Sequence, residues 1–253
     1  MPLLKWHSTP AIQRACVIEP VFALLQIMAG FPWMLPVIPE PRGPKPGWAP
    51  SNEERYERFL NTLLHGSDWS FGLKYFAIYW LRFMDEGRQL SSPLFENGSR
   101  KCAEAHLMEH LNLQLSVLDR DKLVEVTVMQ NSSPCWGCSD RYEKDLGDII
   151  RDSGITVTIV FSSFHRIRRR SCQWQHHLHV NTIPLEHHTL NRDGLKKMSK
   201  VGIILKTAQF QDWKVLRIAL QLPDNIFEEA YNRSPRRKED VLLKEDLDFI
   251  LEN

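Results

Sequence analysis

The 253-residue chain is 43% hydrophobic and 25% charged, ordinary proportions for a soluble globular protein with one well-buried core. Its formal net charge of +1 excludes a globally basic nucleic-acid binder, so any such binding has to come from local clustering. Five cysteines, an odd number, point to a reducing compartment, cytoplasmic or nuclear, and away from a disulfide scaffold.

Seven prolines fall between Pro32 and Pro50, which rules out a regular helix or central strand there. Residues 1–50 therefore read as an extended or disordered leader. The apolar run at 21–31 is too short to span a bilayer and lacks a charged flank and cleavage site, so neither a membrane partner nor a secretory signal is expected. The domain proper is placed at 51–253. Ser51, with Glu54 completing a capping box, opens a helix whose apolar face is Tyr56, Phe59, Leu60 and Leu63.

The aromatic and β-branched stretch 71–84 predicts a strand, paired as a hairpin with a shorter one at 90–95 that turns at Asn97-Gly98. Helical spacing of Leu107, Met108, Leu111 and Gln114 predicts a helix over 102–113, and alternation at 123–129 predicts a strand. A helix over 138–152 stops at Gly154, followed by a buried strand at 155–161. Residues 162–189 read as a long irregular stretch, basic at Arg166, Arg168, Arg169 and Arg170, with histidines at 176, 177, 179, 187 and 188. Beyond it come a helix at 191–200, a strand at 201–207, a strand or helix at 212–220, a short helix at 225–230, an exposed basic turn at 233–237 and an amphipathic helix at 241–251. Strands alternating with helices imply a sheet with helices packed on it.

Within this frame Cys102-Ala103-Glu104 and Ser133-Pro134-Cys135-Trp136-Gly137-Cys138 offer three thiolates and a carboxylate. Thiolates suit zinc, and the two-residue gap between Cys135 and Cys138 lets both sulfurs face one point at a helix start. Three protein ligands leave the fourth tetrahedral position open to water, and Glu104, two residues after a ligand, is placed to take that water's proton and pass it to a leaving group. The alternatives are a structural zinc with Cys172 as fourth ligand, or reduced core cysteines. Neither requires Glu104 or Pro134 where they stand.

The spacing follows the H-x-E and P-C-x-x-C pattern of zinc nucleobase deaminases, with Cys102 in place of histidine. Together with Asn191-Arg192-Asp193-Gly194-Leu195-Lys196-Lys197-Met198, Val201-Gly202-Ile203 and Phe210-Gln211-Asp212-Trp213, it makes residues 51–251 resemble the AID/APOBEC family of zinc-dependent polynucleotide cytosine deaminases. Cys102 is similar to the first ligand of free cytidine deaminases and of divergent, novel AID/APOBEC-like members, and Ser132 stands where the family has a tryptophan. The resemblance implies an α/β, cytidine deaminase-like fold of a five-stranded mixed sheet flanked by about six helices. It implies zinc on Cys102, Cys135 and Cys138, Glu104 as the catalytic acid–base, and conversion of cytosine to uracil in single-stranded DNA or RNA.

Phe164, His165, Arg166 and Arg168 follow the strand at 155–161, where the family contacts the base 5′ of its target, and Trp69 lies near the expected pocket mouth. Arginines attract phosphates, and rings such as Phe164 or Trp174 stack on unpaired bases. A solvated charge run is the competing reading of Arg168–Arg170. A solvated loop and a surface pair are the preferred readings of the loop histidines and of His106 with His110. Two other functions fit less of the pattern: a deaminase of free cytidine or nucleotides, and an RNA-binding protein with a structural zinc.

Overall fold

Near-continuous burial along Phe76–Phe83, broken only at Arg82, marks the first strand, β1, as the centre of an antiparallel group covered on both faces. Its partners are Gln89–Ser91 (β2) on one segment and Phe95–Glu96 (β3) on another. The sequence predicts one continuous strand at 90–95, but Pro93 has no N–H for the ladder and splits it. Ser92 fills the break: its N–H donates to the Tyr79 carbonyl at 2.9 Å, and the Tyr79 N–H donates to Ser92 Oγ at 2.9 Å.

The structure is a computed structural model describing residues 75–84, 89–98, 101–170, 183–219, 228, 231, 232 and 236–253. The leader at 1–50, the capped helix from Ser51 and nearly all of the short helix at 225–230 lie outside the described residues. After β3 come helix α1 (Ala103–Val117), β4 (Leu123–Gln130), α2 (Trp136–Ser153), β5 (Thr156–Phe161), α3 (Leu185–Lys200), β6 (Ile204–Thr207), α4 (Phe210–Ala219) and α5 (Arg236–Glu252). The chain is thus α/β, with a mixed sheet of order β2-β1-β4-β5-β6 and β3 also pairing with β1. β1 and β4 run antiparallel, whereas β4–β5 and β5–β6 are parallel. Among the described residues there are six strands and five helices, against an expectation of five and about six.

Strand periodicity sends alternate side chains to opposite faces. Phe76, Ile78 and Trp80 join Met129, Val160, Trp213 and Leu216 in one buried cluster beneath α4. Tyr79 turns the other way, where its hydroxyl meets His110 Nδ1 of α1 at 2.8 Å. Fully burying each such large apolar side chain is worth about 1.5–3 kcal/mol, so both faces of the sheet contribute.

Three segments are corrected or decided relative to the sequence reading. Helix α3 begins at Leu185, six residues before the expected start, so His187 and His188 are helical and the irregular stretch is correspondingly shorter. The ambiguous segment at 212–220 is a helix, because the Asp212 carboxylate accepts the Gln209 N–H at 2.9 Å and caps it. The third concerns the predicted exposed basic turn at 233–237. Arg236 is fully buried at the start of α5, with 0% relative exposure, because Asp240 and the Ser162 carbonyl receive its guanidinium inside the protein.

Helices α2 and α3 cross where Gly194 approaches Ser139. A methyl group at Gly194 would sit 2.8 Å from Ser139 Cβ and Oγ, inside any real contact. Gly194→Ala is therefore expected to cost about 1–3 kcal/mol through forced separation of the helices. Urea unfolding reads the effect, and an unshifted midpoint would show that the two helices do not meet this closely.

Candidate metal centre

The carboxyl ends of the parallel strands β4 and β5 open onto two loops, at 131–135 and 162–170, and this is where ligands gather in sheets of this kind. Cys135 ends the first loop as the N-cap of α2, and Cys102 is the N-cap of α1; both have extended backbones and neither sulfur caps its own helix. N-cap side chains normally accept a backbone N–H of the first turn. Asn191 of α3 serves this turn from outside, its Oδ1 accepting the Trp136 N–H at 2.8 Å. The sequence reading starts α2 at Cys138. The actual start at Trp136 puts Cys138 in the first turn and Cys135 at its head.

The sulfurs of Cys102, Cys135 and Cys138 lie within 4.8 Å of one another. Zinc–sulfur bonds of roughly 2.3 Å place tetrahedral sulfurs roughly 3.8 Å apart, so this trio fits one metal ion with small adjustment. It suits zinc without selecting it from other thiophilic metals. Without a cation the thiols compete for protons. Cys138 donates to Cys135, which depresses the Cys135 pKa to about 6, while that same bond and burial raise Cys138 far above a normal thiol. Cys102 is also raised, by burial first and then by Cys135 and Glu104. One proton leaves the group readily and the rest do not, so three thiolates together call for a cation. The positive ends of α1 and α2 favour the same charge state.

Glu104 is the second residue of α1 and only 7% exposed. Burial lifts its carboxyl to about 7, against a lowering by its own backbone N–H and a further rise from Cys135. A metal cation at the sulfurs would pull it back down. Cys172 and Trp69 lie outside the described residues.

No family model and no curated protein matches the chain.

The loop after β5 stands beside the cysteines through a set of backbone anchors. Ser133 N–H donates to the Ser163 carbonyl at 2.7 Å, and His165 N–H donates to Ser133 Oγ at 2.8 Å. The Asn131 carbonyl accepts both Ser162 Oγ, at 2.9 Å, and Ser163 Oγ, at 2.8 Å. Asn191 Nδ2 donates to the His165 carbonyl at 3.0 Å, so one side chain ties this loop to the N-terminus of α2. The roles of Asn131, Ser133 and Asn191 are missing from the sequence reading; the polar run Asn131-Ser132-Ser133 before Pro134 was the signal that could have found the first two.

The expected substrate residues divide. Phe164 is 6% exposed and tilts against Phe161, so its ring is core and presents no stacking face to solvent. His165 is half-buried, its ring edge-on to Tyr75 at 5.6 Å, and burial with Arg166 and His187 nearby lowers its pKa to about 4. Arg166 is exposed with a positive φ of 49°, and its Nη1 lies 3.2 Å from His187 Nδ1. Arg168 is exposed but donates twice to the Ile183 carbonyl. Arg169 is not solvated charge at all: it is buried between Glu239 and Asp246 of α5.

Two aromatic residues near the cysteines lie outside the expected substrate set. Tyr75 meets His165 of the loop edge-on, and its hydroxyl, raised mainly by burial, also feels Arg166, Glu104, Cys102 and Cys135. Trp136, adjacent to Cys135, is 53% exposed.

Proposed function

We propose that the chain is a zinc-dependent deaminase converting cytosine to uracil in single-stranded nucleic acid, with a cytidine deaminase-like fold and a divergent relation to the AID/APOBEC family. The observation that carries this reading is the burial of Glu104 beside three converging cysteine sulfurs at two helix starts. A structural zinc has no use for a carboxylate there. The three-thiolate set would hold zinc, which when bound supplies an activated water for attack at C4 of cytosine. Glu104 would take one proton from water and deliver it to N3, then carry the remaining hydroxyl proton to the exocyclic amine, so that cytosine and water give uracil and ammonia. Exclusion of bulk water around the carboxylate, already seen in its 7% exposure, supports proton transfer at a fixed position. Trp136, Tyr75 and His165 offer rings at the surface of the site for an unstacked base.

The direct test is incubation of purified protein with single-stranded DNA and RNA, followed by sequencing for C-to-U changes, with free cytidine assayed in parallel. Turnover of free cytidine that excess single strand does not inhibit would replace the polynucleotide substrate with a small molecule. Absence of deamination on all three substrates by zinc-loaded protein would sink the reading.

The metal has its own measurement. Elemental analysis is expected to give about one zinc per chain, lost in Cys135→Ala and in Cys138→Ala, because each removes a thiolate that the other two cannot replace. Well-folded wild-type protein without zinc would remove the basis for the chemistry.

A further inference from the structure

A concavity of about 170 Å3 opens between the loop after β5, helix α3 and helix α5, with Arg168, Arg169, Arg170, His188, Arg192 and Asp246 among its walls. It shares no lining residue with the cysteine site. Its charges can be followed one by one. Arg169 is committed to Glu239 and Asp246. Arg168 spends Nε and Nη2 on the Ile183 carbonyl, at 3.0 and 2.6 Å, and forms no ion pair with a carboxylate among the described residues. Arg170 lies with its Cζ 4.8 Å over the Phe249 ring, held by a face that leaves the guanidinium edge open to hydrogen bonding. Arg192 has its Nε closed off from solvent with no acceptor among the described residues. The His188 pKa is lowered by burial and by Arg192 and Arg168 against a rise from Asp193, and its Nδ1 accepts the Arg168 backbone N–H at 3.2 Å.

Four guanidinium groups thus meet the carboxylates of Glu239 and Asp246, with Asp193 also acting on His188, and one buried donor has no acceptor among the described residues. The closed-off Arg192 N–H costs free energy unless an acceptor completes it, and the exposed Arg168 and Arg170 beside it supply the positive charge that favours an anion as that acceptor. The anion has to offer several acceptor oxygens to donors arriving from the loop and from α3, and planar guanidinium forks match a phosphoryl group. We propose that this pocket binds a phosphoryl group, supplied either by the backbone of a nucleic-acid strand or by free inorganic pyrophosphate. The proposal does not rest on deamination: a chain without catalytic activity would still hold phosphate here, and an active deaminase could lack this pocket's function.

The test uses the full chain and two probes, inorganic pyrophosphate followed by calorimetry and a labelled single-stranded oligodeoxynucleotide followed by anisotropy. R170Q/R192Q removes two of the donors, and K144Q/R151Q removes the same charge from α2 as a control. Loss of charge-assisted bonds is expected to weaken binding about tenfold or more in R170Q/R192Q, with little change in the control. If pyrophosphate shows this pattern, the pocket takes free phosphate. If pyrophosphate does not bind and the oligonucleotide shows the pattern, the strand backbone is the ligand. Failure of both probes to bind wild type, unchanged affinities in R170Q/R192Q, or equal losses in the control each overturn the proposal. Should the double variant not fold, R170Q alone carries the test, since Arg170 is exposed: severalfold weaker binding of either probe supports the pocket, and unchanged binding overturns it.

Discussion

Glu104→Gln is expected to lower deamination by a factor on the order of 10² or more while leaving zinc content and fold intact. The substitution keeps the side chain's size in a position that is only 7% exposed, so α1 and its packing have no reason to change. It removes the group that can both take and give a proton. An amide does neither at neutral pH. The three sulfurs stay as they are. A drop in turnover without loss of zinc would separate proton transfer from metal binding. Equal activity in wild type and variant would assign Glu104 to structure and leave the cysteines as a structural metal site.

The second large effect is on stability. Arg236 and Asp240 are 0% and 1% exposed, and the Asp240 carboxylate also accepts Trp213 Nε1 and the Tyr231 hydroxyl, each at 3.0 Å. Burial pushes the Asp240 carboxyl up, and Arg236 with these donors pulls it back. Arg236→Met removes the cation and strands the carboxylate in the core, a change expected to cost about 3–5 kcal/mol. Arg236→Met combined with Asp240→Leu removes both charges and is expected to recover much of that loss, because paired burial is costly in itself. Urea unfolding of the two variants gives both numbers. A single variant within about 1 kcal/mol of wild type would mean that the pair is solvated or dispensable.

This buried pair also reaches the metal centre. Arg236 Nη2 donates to the Ser162 carbonyl at 2.6 Å, Ser162 Oγ donates to the Asn131 carbonyl at 2.9 Å, and Asn131 begins the loop that ends in Cys135. The last helix of the chain is thereby tied to a loop more than 70 residues earlier, as the 74-residue separation of Arg236 and Ser162 records. Arg169, with its own pair of α5 carboxylates, anchors the far end of the loop that begins at Ser162.

Much was legible without coordinates because it depends on local rules. Periodicity and turn chemistry located β1, β4, β5, the body of each described helix except α4, and the stop at Gly154, whose φ of 64° is the left-handed conformation that glycine adopts freely. The two-residue gap between Cys135 and Cys138 predicted that their sulfurs share a helix start, and the parallel β4–β5 pair follows from strand-helix-strand order. That Cys102 joins them is a tertiary fact. It needs β1 between β3 and β4, so that the N-terminus of α1 and the end of β4 arrive at one place. The arginine run shows the limit most clearly. Arg166, Arg168, Arg169, Arg170 and Arg236 look alike as sequence, a solvated basic surface, and charge alone cannot tell them apart. Only the placement of Glu239, Asp240 and Asp246 on α5 decides that Arg169 and Arg236 are buried, because a guanidinium leaves water only where carboxylates and carbonyls replace its hydration.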